Sequence, residues 1–360
     1  MTAPDEGVPL QDPVALAREA RRLLEAAGLS AEMAEDVAAV LLEADLLGHR
    51  THGLSMLPNY LERLERGAMA KAGEVEVTVD AGATFAWRAH RLAGAWVMRR
   101  AVRQVLARVA EHPVVTATIA DCSHIGALQV YLRSMTDAGL FVTLATTDPG
   151  IASVAPFGGA DPVLTSNPVA YGIPTLDDPI LVDASTSVVS NGAIAGYAAR
   201  GERTPGAWLV DGQGGPSDDP AVLSADPPGT IALLGGQEFG YKGFGFSLMV
   251  EALSLGMSGH GRSTGAPRGG QGVFLQAIDP AGFAGRDAFL RETTALSRRC
   301  RESRPREGGP PVRLPGQRAL ANRDRNLAEG LPYPAATLAA IRDWASRLRV
   351  EMGEIRKSLA

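Results

Sequence analysis

The sequence is poor in lysine and cysteine and has no long apolar run. Of its 35 lysine and arginine residues, only Lys71, Lys242 and Lys357 are lysines. Its two cysteines, Cys122 and Cys300, are too few for a disulfide framework and lack metal-ligand spacing. No stretch of about 20 apolar residues could span a bilayer, and the N-terminal region lacks the pattern of a secretory signal. We therefore expect a cytoplasmic protein with reduced thiols and no membrane partner.

Several common binding motifs are also missing. No G-x-G-x-x-G follows a strand and no G-x-x-x-x-G-K-[ST] occurs, which disfavours a Rossmann domain and a phosphate loop. The formal charge of −5 and the absence of clustered Lys and Arg argue against nucleic acid as a partner. What is present is an ordinary globular composition, 45% hydrophobic and 21% charged over 360 residues. This length predicts two domains, or one large and one small.

Hydrophobic periodicity predicts helices at both ends of the chain and an α/β pattern between them. Three helices are expected between Pro13 and Gly67, and an amphipathic helix over 335–360 is expected to return to them. After Gly73, β-branched runs alternate with helical stretches. The Gly- and Pro-rich stretch 149–228 is expected to form strands and functional loops.

The segment GHRTHGLSM, residues 48–56, holds two of the six histidines of the chain. One helix is expected to end at Gly48 and the next to begin near His52, which would place Thr51 and His52 at a helix N-terminus. Free N–H groups there attract anions such as a substrate carboxylate. The spacing equally fits a simple cap at Thr51, with His49 and His52 covering a turn.

Another histidine, His124, follows a β-branched run and precedes Gly126, where a helix is expected to open. Side chains at strand ends of α/β folds face ligand clefts, and histidine is suited to general acid–base catalysis. Asp148, preceded by Thr147, follows the next strand and is expected to orient His124. The alternatives are a surface turn histidine and a plain turn aspartate before Pro149.

A glycine-rich stretch, GGQEFGYKGFGFSL, occupies residues 235–248. Its glycines allow the backbone to approach a ligand closely, and Lys242 is expected to precede a helix. An ammonium group at that position can pair with a phosphate or bind a ribose or nicotinamide. The alternative is that Lys242 only covers the end of a helix.

Six motifs together resemble one known family in order and approximate spacing. They are GHRTHGLSMLPNYLERLERG, SHIGALQVY, TTDPGIASVAPFGGADPVLTSNPVAYGIP, LVDASTSVVSNG, GYKGFGFSLMVEALSLGMSG and VRLPGQR. The chain resembles the malate/L-lactate/ureidoglycolate dehydrogenase family over roughly residues 13 to 350. The resemblance implies hydride transfer with NAD or NADP between a 2-oxo acid, or a cyclic 2-imino acid, and its reduced form.

The same resemblance implies the architecture. The expected fold is α/β with α+β character, with a non-Rossmann nucleotide-binding domain over 76–317 that contains a mixed or antiparallel sheet. A helical domain is expected from both chain ends, 1–75 together with 318–360. A homodimer with its active site between domains is also expected.

The resemblance and the residue chemistry together give a set of predicted site residues, without a metal ion. The predicted catalytic residues are His124, Asp148 and His52. The predicted substrate-binding residues are Arg50, Thr51, His52, Tyr60 and Thr147, which would hold a small carboxylate. The predicted cofactor-binding residues are Asp183, Ala184, Ser185, Lys242, Gly243, Gly316, Gln317 and Arg318.

Three departures from the family pattern affect this interpretation. Ser55 and Met56 stand where many relatives have an arginine that can hold a carboxylate in a bidentate manner; Arg50 is the expected substitute. Ala193 stands where relatives often have a lysine. Gln317 replaces a glutamate near the adenosine ribose, which leaves both NAD and NADP open.

Two other classes of function remain alternatives at this point. One is a ligand-binding homologue that has kept the fold and lost catalysis. The other is a metal-dependent hydrolase using His49, His52 and His124, although neither H-x-x-x-H nor H-E-x-x-H occurs in the sequence.

Overall fold

The computed structural model describes residues 9–356. Lys357 and the outermost parts of the predicted helical domain, 1–8 and 357–360, lie outside the described residues.

Helices cover the two ends of the described chain and flank its central sheet. The α-helices are α1 (Pro13–Ala26), α2 (Ala31–Leu47), α3 (Leu57–Glu65), α4 (Gly94–Arg108), α5 (Arg133–Asp137), α6 (Asn191–Arg200), α7 (Gly236–Glu251), α8 (Arg286–Arg301), α9 (Gln317–Glu329) and α10 (Ala335–Leu348). A π-helical turn, Ala252–Gly256, continues α7.

The strands form a seven-stranded sheet and two small sheets. They are β1 (Leu10–Gln11), β2 (Glu76–Asp80), β3 (Thr84–Arg88), β4 (Val114–Cys122), β5 (Phe141–Thr147), β6 (Val169–Ile173), β7 (Ile180–Ala184), β8 (Leu209–Val210), β9 (Pro216–Ser217), β10 (Thr230–Ile231), β11 (Gln271–Ile278) and β12 (Leu331–Pro332). The main sheet has the order β2-β3-β4-β11-β5-β6-β7. Only the β3–β4 pair in it is parallel, so the predicted mixed, largely antiparallel α/β fold is confirmed.

Local sequence signals account for the N-terminal helices. The Asp12 carboxylate caps α1, and Pro13 occupies its first turn, where a missing N–H costs no hydrogen bond. The Ser30 hydroxyl accepts from the N–H of Met33 and caps α2. Both helices bury an apolar face, including Leu24 and Leu41, in the main core.

The C-terminal helix returns to the N-terminal ones, as predicted, but it ends at Leu348, so the prediction of a helix through 349–356 is wrong. α10 contacts α1 and α3, and α9 packs along α2. β1 pairs with β12, which joins the two ends of the described chain. One continuous core runs from these helices to the main sheet and includes Leu61, Trp96, Leu144 and Trp344. The division into 1–75 with 318–360 and 76–317 stays a prediction.

A second, smaller core combines the segment expected to form strands and loops with residues just after it. It contains Val154, Ile194, Leu209, Ile231 and Leu233 beside the three-stranded sheet β10-β8-β9. The same segment also contains a helix that sequence did not predict, α6, because its two glycines weaken the helical signal. Its first turn is capped by the hydroxyl of Ser190.

Candidate active site

The segment after α2 is broken into two short turns. Arg50–His52 and Leu54–Met56 are 3-10 turns, and α3 begins only at Leu57. The prediction of a helix starting near His52 is therefore wrong, and Thr51 and His52 do not lie at an α-helix N-terminus. An α-helix N-terminus therefore cannot attract a substrate anion to Thr51 and His52, contrary to the sequence prediction.

The buried carboxylate of Asp45 explains this break. Gly53 is extended and lies so close to Asp45 that a Cβ on Gly53 would overlap the carboxylate. The next residue, Leu54, donates its N–H to Asp45 Oδ2 at 2.7 Å. Tyr333, far along the chain, donates its hydroxyl to the same oxygen. Asp45 is 3% exposed, and its burial raises its pKa to about 7. The carboxylate thus shapes the loop and joins it to the C-terminal segment.

His124 lies just beyond β4, in an extended stretch followed by a 3-10 turn from Leu128 to Tyr131. The helix expected to open at Gly126 therefore starts later, since this turn comes first and α5 follows from Arg133. Tyr60 Oη lies 2.7 Å from His124 Nδ1 and 3.3 Å from the His124 carbonyl oxygen. Since a carbonyl oxygen only accepts, both contacts are hydrogen bonds when Tyr60 donates to the carbonyl and Nδ1–H donates to Tyr60. This tautomer leaves Nε2 with a free lone pair, and Nε2 makes no hydrogen bond within residues 9–356.

A second imidazole lies against His124. The rings of His52 and His124 are stacked with their centroids 5.6 Å apart. Burial, together with the neighbouring His52 and Arg63, lowers the pKa of His124 to about 3. Burial also lowers the pKa of His52, while the nearby Asp183 carboxylate opposes that shift. Both rings are therefore neutral at neutral pH.

Asp148 and Thr147 have other partners than the sequence predicts. The Asp148 carboxylate accepts from the N–H groups of Gly150 and Gly269, at 2.9 and 2.8 Å. It fixes loops, and the contact that orients His124 comes from Tyr60 instead. Thr147 is only 1% exposed, and its hydroxyl donates to Asn167 Oδ1 at 2.5 Å. The structure therefore places Thr147 in the interior and not at an open substrate surface.

The remaining loop residues lie at the surface. Arg50 and Thr51 are exposed, and the Thr51 hydroxyl lies 2.9 Å from His52 Nδ1. The start of α6 is close by, because a Cβ on Gly192 would lie 3.7 Å from that of Thr51. Met56 is half-buried and packs against the main core. An apolar contact therefore occupies the position where many relatives carry the arginine.

Two of the predicted cofactor segments meet along the edge strand β7. Asp183, near its end, accepts the N–H of Gln129 at 3.0 Å, while Ala184 is exposed and Ser185 half-buried. The N–H of Leu181 donates to the Pro315 carbonyl at 3.1 Å. This hydrogen bond brings the loop before α9 to β7, and with it the predicted residues Gly316, Gln317 and Arg318. The exposed Arg318 has no ion-pair partner in the described part of the chain.

The third cofactor segment approaches from α7. A Cβ on Gly243 would lie 2.6 Å from the backbone of Leu234 and 2.8 Å from the Thr186 carbonyl, so only glycine permits this packing. Thr186 continues the chain from β7, and the Lys242–Gly243 pair therefore lies beside it. Lys242 lies inside α7 and does not precede it as predicted, because the helix already begins at Gly236. Its ammonium lies 5.0 Å from the Phe239 ring and forms no ion pair in the described part of the chain.

Three residues with a part in this site were not predicted from the sequence: Asp45, Gln129 and Tyr333. Each resembles an ordinary helix or loop residue, and no local motif singles it out. The metal-hydrolase alternative receives no support, because within residues 9–356 no group of three or more His, Cys, Asp or Glu side chains could hold a metal ion. No described helix is long and apolar enough to cross a membrane.

Comparison with known proteins agrees with the motif pattern. The profile of the malate/L-lactate dehydrogenase family matches residues 12–342. The (2R)-3-sulfolactate dehydrogenase (NADP(+)) of Chromohalobacter salexigens is 32% identical over 342 residues, covering 91% of this chain and 97% of that protein. The Delta(1)-pyrroline-2-carboxylate/Delta(1)-piperideine-2-carboxylate reductase of Pseudomonas aeruginosa is 32% identical over 334 residues, covering 88% and 93%.

A solved structure shows the same fold. The malate dehydrogenase of Entamoeba histolytica superposes with a TM-score of 0.89 at 21% identity, covering 96% of this chain and 99% of that one. Together with the profile match, these similarities show that the chain belongs to the malate/L-lactate dehydrogenase family and is an oxidoreductase.

Proposed function

We propose that this chain transfers a hydride between a nicotinamide cofactor and C2 of a small 2-hydroxy or 2-oxo carboxylate. The observation that carries the proposal is the His124–Tyr60 pair, in which Nδ1 is held and Nε2 is free. A neutral imidazole with one free nitrogen is a suitable base for a hydroxyl proton. Tyr60, at 2% exposure, fixes the ring against rotation.

In the oxidative direction, His124 Nε2 accepts the proton of the C2 hydroxyl while the C2 hydride leaves the substrate. A nicotinamide dinucleotide, when bound at the cofactor segments, would supply the acceptor for that hydride. In the reductive direction, His124 returns the proton to the carbonyl oxygen. A bound carboxylate beside the two histidines counteracts the cost of charging His124 and raises its pKa in the complex.

The chemistry of the predicted cofactor residues fits a dinucleotide. Lys242 and Arg318 are exposed cations without an ion-pair partner in the described part of the chain, and both suit phosphate oxygens. Asp183 Oδ1 is an acceptor suited to a ribose hydroxyl. Gln317 is neutral and brings no carboxylate that would repel a 2′-phosphate. We therefore expect NADPH to be accepted as well as NADH.

The substrate carboxylate is assigned to the loop that carries Thr51 and His52. The exposed guanidinium of Arg50 takes the place of the arginine that is absent at Met56. A cyclic 2-imino acid carries the same carboxylate, and the relatives named above include both a hydroxy acid dehydrogenase and an imino acid reductase at 32% identity. The imino acid is therefore the second candidate substrate class.

The deciding experiment is a panel of 2-oxo acids and cyclic 2-imino acids, each run with NADH and with NADPH while nicotinamide absorbance is followed. Turnover with at least one acid supports the proposal. Binding of a dinucleotide without oxidation by any acid would instead support the ligand-binding homologue. His124→Gln must abolish most of the turnover that the panel finds.

We also propose a cytoplasmic homodimer. The helix α7 buries one face in the chain but exposes large apolar side chains on the other, among them Phe246 and Leu248 at 51% and 49% exposure. Several large apolar side chains exposed together on a helix normally mark an interaction surface. A second copy of this chain is the proposed cover. Light scattering should show a dimer that Phe246→Glu dissociates and that Phe283→Glu, at another exposed phenylalanine, leaves intact.

A further inference from the structure

His49 makes a specific internal contact although sequence assigns it no role in the dehydrogenase. It follows α2 and is half-buried. Its Nε2 lies 2.6 Å from Oε1 of Gln129, a residue only 4% exposed and 80 positions along the chain. Buried polar side chains are costly unless their hydrogen bonds are made, so this contact is a built part of the structure.

The direction of the hydrogen bond follows from the other end of the amide. Gln129 Nε2 donates to the Leu181 carbonyl at 2.9 Å, and a carbonyl can only accept. This contact fixes the amide with Oε1 toward His49. His49 must therefore carry its proton on Nε2 and donate it. The interaction requires a donor at position 49, and an apolar side chain cannot replace it.

Gln129 holds the predicted cofactor strand at two points. Its side chain binds the carbonyl of Leu181, and its backbone N–H donates to Asp183 Oδ2 at 3.0 Å. Leu181 in turn donates to the Pro315 carbonyl, next to the Gly316 segment. Gln129 thus contacts the strand from which the cofactor residues project.

His49 holds the predicted substrate loop at its other end. The His52 N–H donates to the His49 carbonyl at 2.8 Å and closes the turn that contains Thr51. A continuous chain of hydrogen bonds therefore runs from the His52 turn through His49 and Gln129 to Asp183.

We propose that His49 and Gln129 are positioning residues that couple the Thr51–His52 substrate loop to the Asp183 cofactor segment, so that each ligand strengthens binding of the other. The proposal rests on the proposed function of these two segments. Coupling of this kind is reciprocal: the dinucleotide changes the affinity for the acid by the same factor as the acid changes the affinity for the dinucleotide. Coupling factors between two ligand sites are typically about 5 to 150.

The test measures that factor directly. The Kd of the full-length protein for NADH, and separately for NADPH, is determined from nicotinamide fluorescence with and without saturating oxamate, an unreactive 2-oxo acid analogue. The ratio of the two Kd values is the coupling factor. The variants are His49→Leu and His49→Ala, which remove the donor, and His49→Gln, whose amide N–H can donate to Gln129.

We expect oxamate to tighten dinucleotide binding in the parent protein, and the coupling factor to fall toward 1 in His49→Leu and His49→Ala. His49→Gln should recover most of it. In turnover assays, KM for the acid should rise more than kcat falls, because His124 and Tyr60 are untouched. A general loss of structure would instead lower the melting temperature and weaken dinucleotide binding without oxamate, with no recovery in His49→Gln.

The failure of this inference can be distinguished from the failure of the proposed function. A coupling factor of 1 in the parent overturns the coupling, and so does an equal factor in the parent, His49→Leu and His49→Ala. If the acid panel still gives turnover, the proposed hydride-transfer function stands. Absence of binding by both dinucleotides overturns both.

Discussion

Two titratable groups, the buried Asp45 and the half-buried His124, flank the 48–56 loop, and each is paired with a tyrosine. His124 lies against Tyr60, and Asp45 lies against Tyr333. Burial favours the neutral form of both, which lowers the pKa of His124 to about 3 and raises the pKa of Asp45 to about 7.

The two pairs differ in what is left over after their hydrogen bonds are made. Two donors, Leu54 N–H and the Tyr333 hydroxyl, converge on one oxygen of Asp45, which is held inside the protein. His124 uses only Nδ1, and its Nε2 makes no hydrogen bond within the described residues. Burial with several partners therefore fixes a loop at Asp45, whereas burial with a free nitrogen provides a reactive group at His124.

The largest expected effect is on the reactive pair. His124→Gln should lower kcat by about 10² to 10⁴, because a positioned acid–base group is lost. Tyr60→Phe keeps the imidazole and removes its hydroxyl partner, so its loss of kcat should be smaller. The measurement is steady-state turnover with the best acid of the panel. Near-parental kcat in a folded His124→Gln protein would remove His124 from the chemistry.

The next largest effect tests the structural pair by steric means. Gly53→Ala places a Cβ against the Asp45 carboxylate and should destabilise the protein by about 1 to 3 kcal/mol, as overpacking typically does. Urea unfolding measures the change. Gly256→Ala is the control, since a Cβ on Gly256 makes only an ordinary contact at 3.9 Å. Equal stability of the two variants would show that the loop can move away from Asp45.

A smaller effect is expected when one hydrogen bond of the structural pair is removed. Tyr333→Phe deletes a donor to Asp45 Oδ2 and should lower the free energy of unfolding by about 1 kcal/mol. The looser loop should raise KM for the acid more than it lowers kcat. A lower kcat at constant KM would contradict a positioning role.

The last comparison separates the two pairs by the sign of their pH dependence. Since the pKa of His124 is lowered from 6.5 to about 3, its stabilising contribution is present above pH 6.5 and is lost as pH falls toward 3. Since the pKa of Asp45 is raised from 3.8 to about 7, its contribution is present below pH 3.8 and is lost as pH rises through 7. As pH rises, the His124 contribution to stability therefore increases while the Asp45 contribution decreases.

Urea unfolding at pH 5 and pH 8 distinguishes them. The change in the free energy of unfolding relative to the parent should be more stabilising at pH 5 than at pH 8 for His124→Gln. For Asp45→Asn it should be more stabilising at pH 8 than at pH 5. The same sign in both variants would contradict the assigned pKa directions.

Many regular elements of the fold were predictable because their signals are local, whereas α6 was not. The apolar period of 94–108 and the β-branched run of 114–122 define α4 and β4 directly. The helix start near His52 was wrong because Asp45, a residue that looks like any helical carboxylate, extends Gly53 and breaks the turn. Tertiary contact there overrides local pattern.

The site itself was predictable only where a motif carried it. His124, Tyr60 and Asp183 were identified from motifs, and the structure brings His124 together with Tyr60 and His52. Gln129 was not predictable because its role depends on contacts with residues 80 positions before it and 52 positions after it. No window of the sequence contains such a relation.

The hydrogen bond between Tyr333 and Asp45 joins residues 288 positions apart. During synthesis, the loop that carries His52 leaves the ribosome long before the segment that holds Asp45 in place exists. Chains are made from the N-terminus onward, and contacts between distant positions form late and slowly. The loop should therefore reach its final shape only near the end of synthesis, so a nascent chain that stops before Tyr333 would carry all three loop residues, Arg50, Thr51 and His52, without the geometry they need.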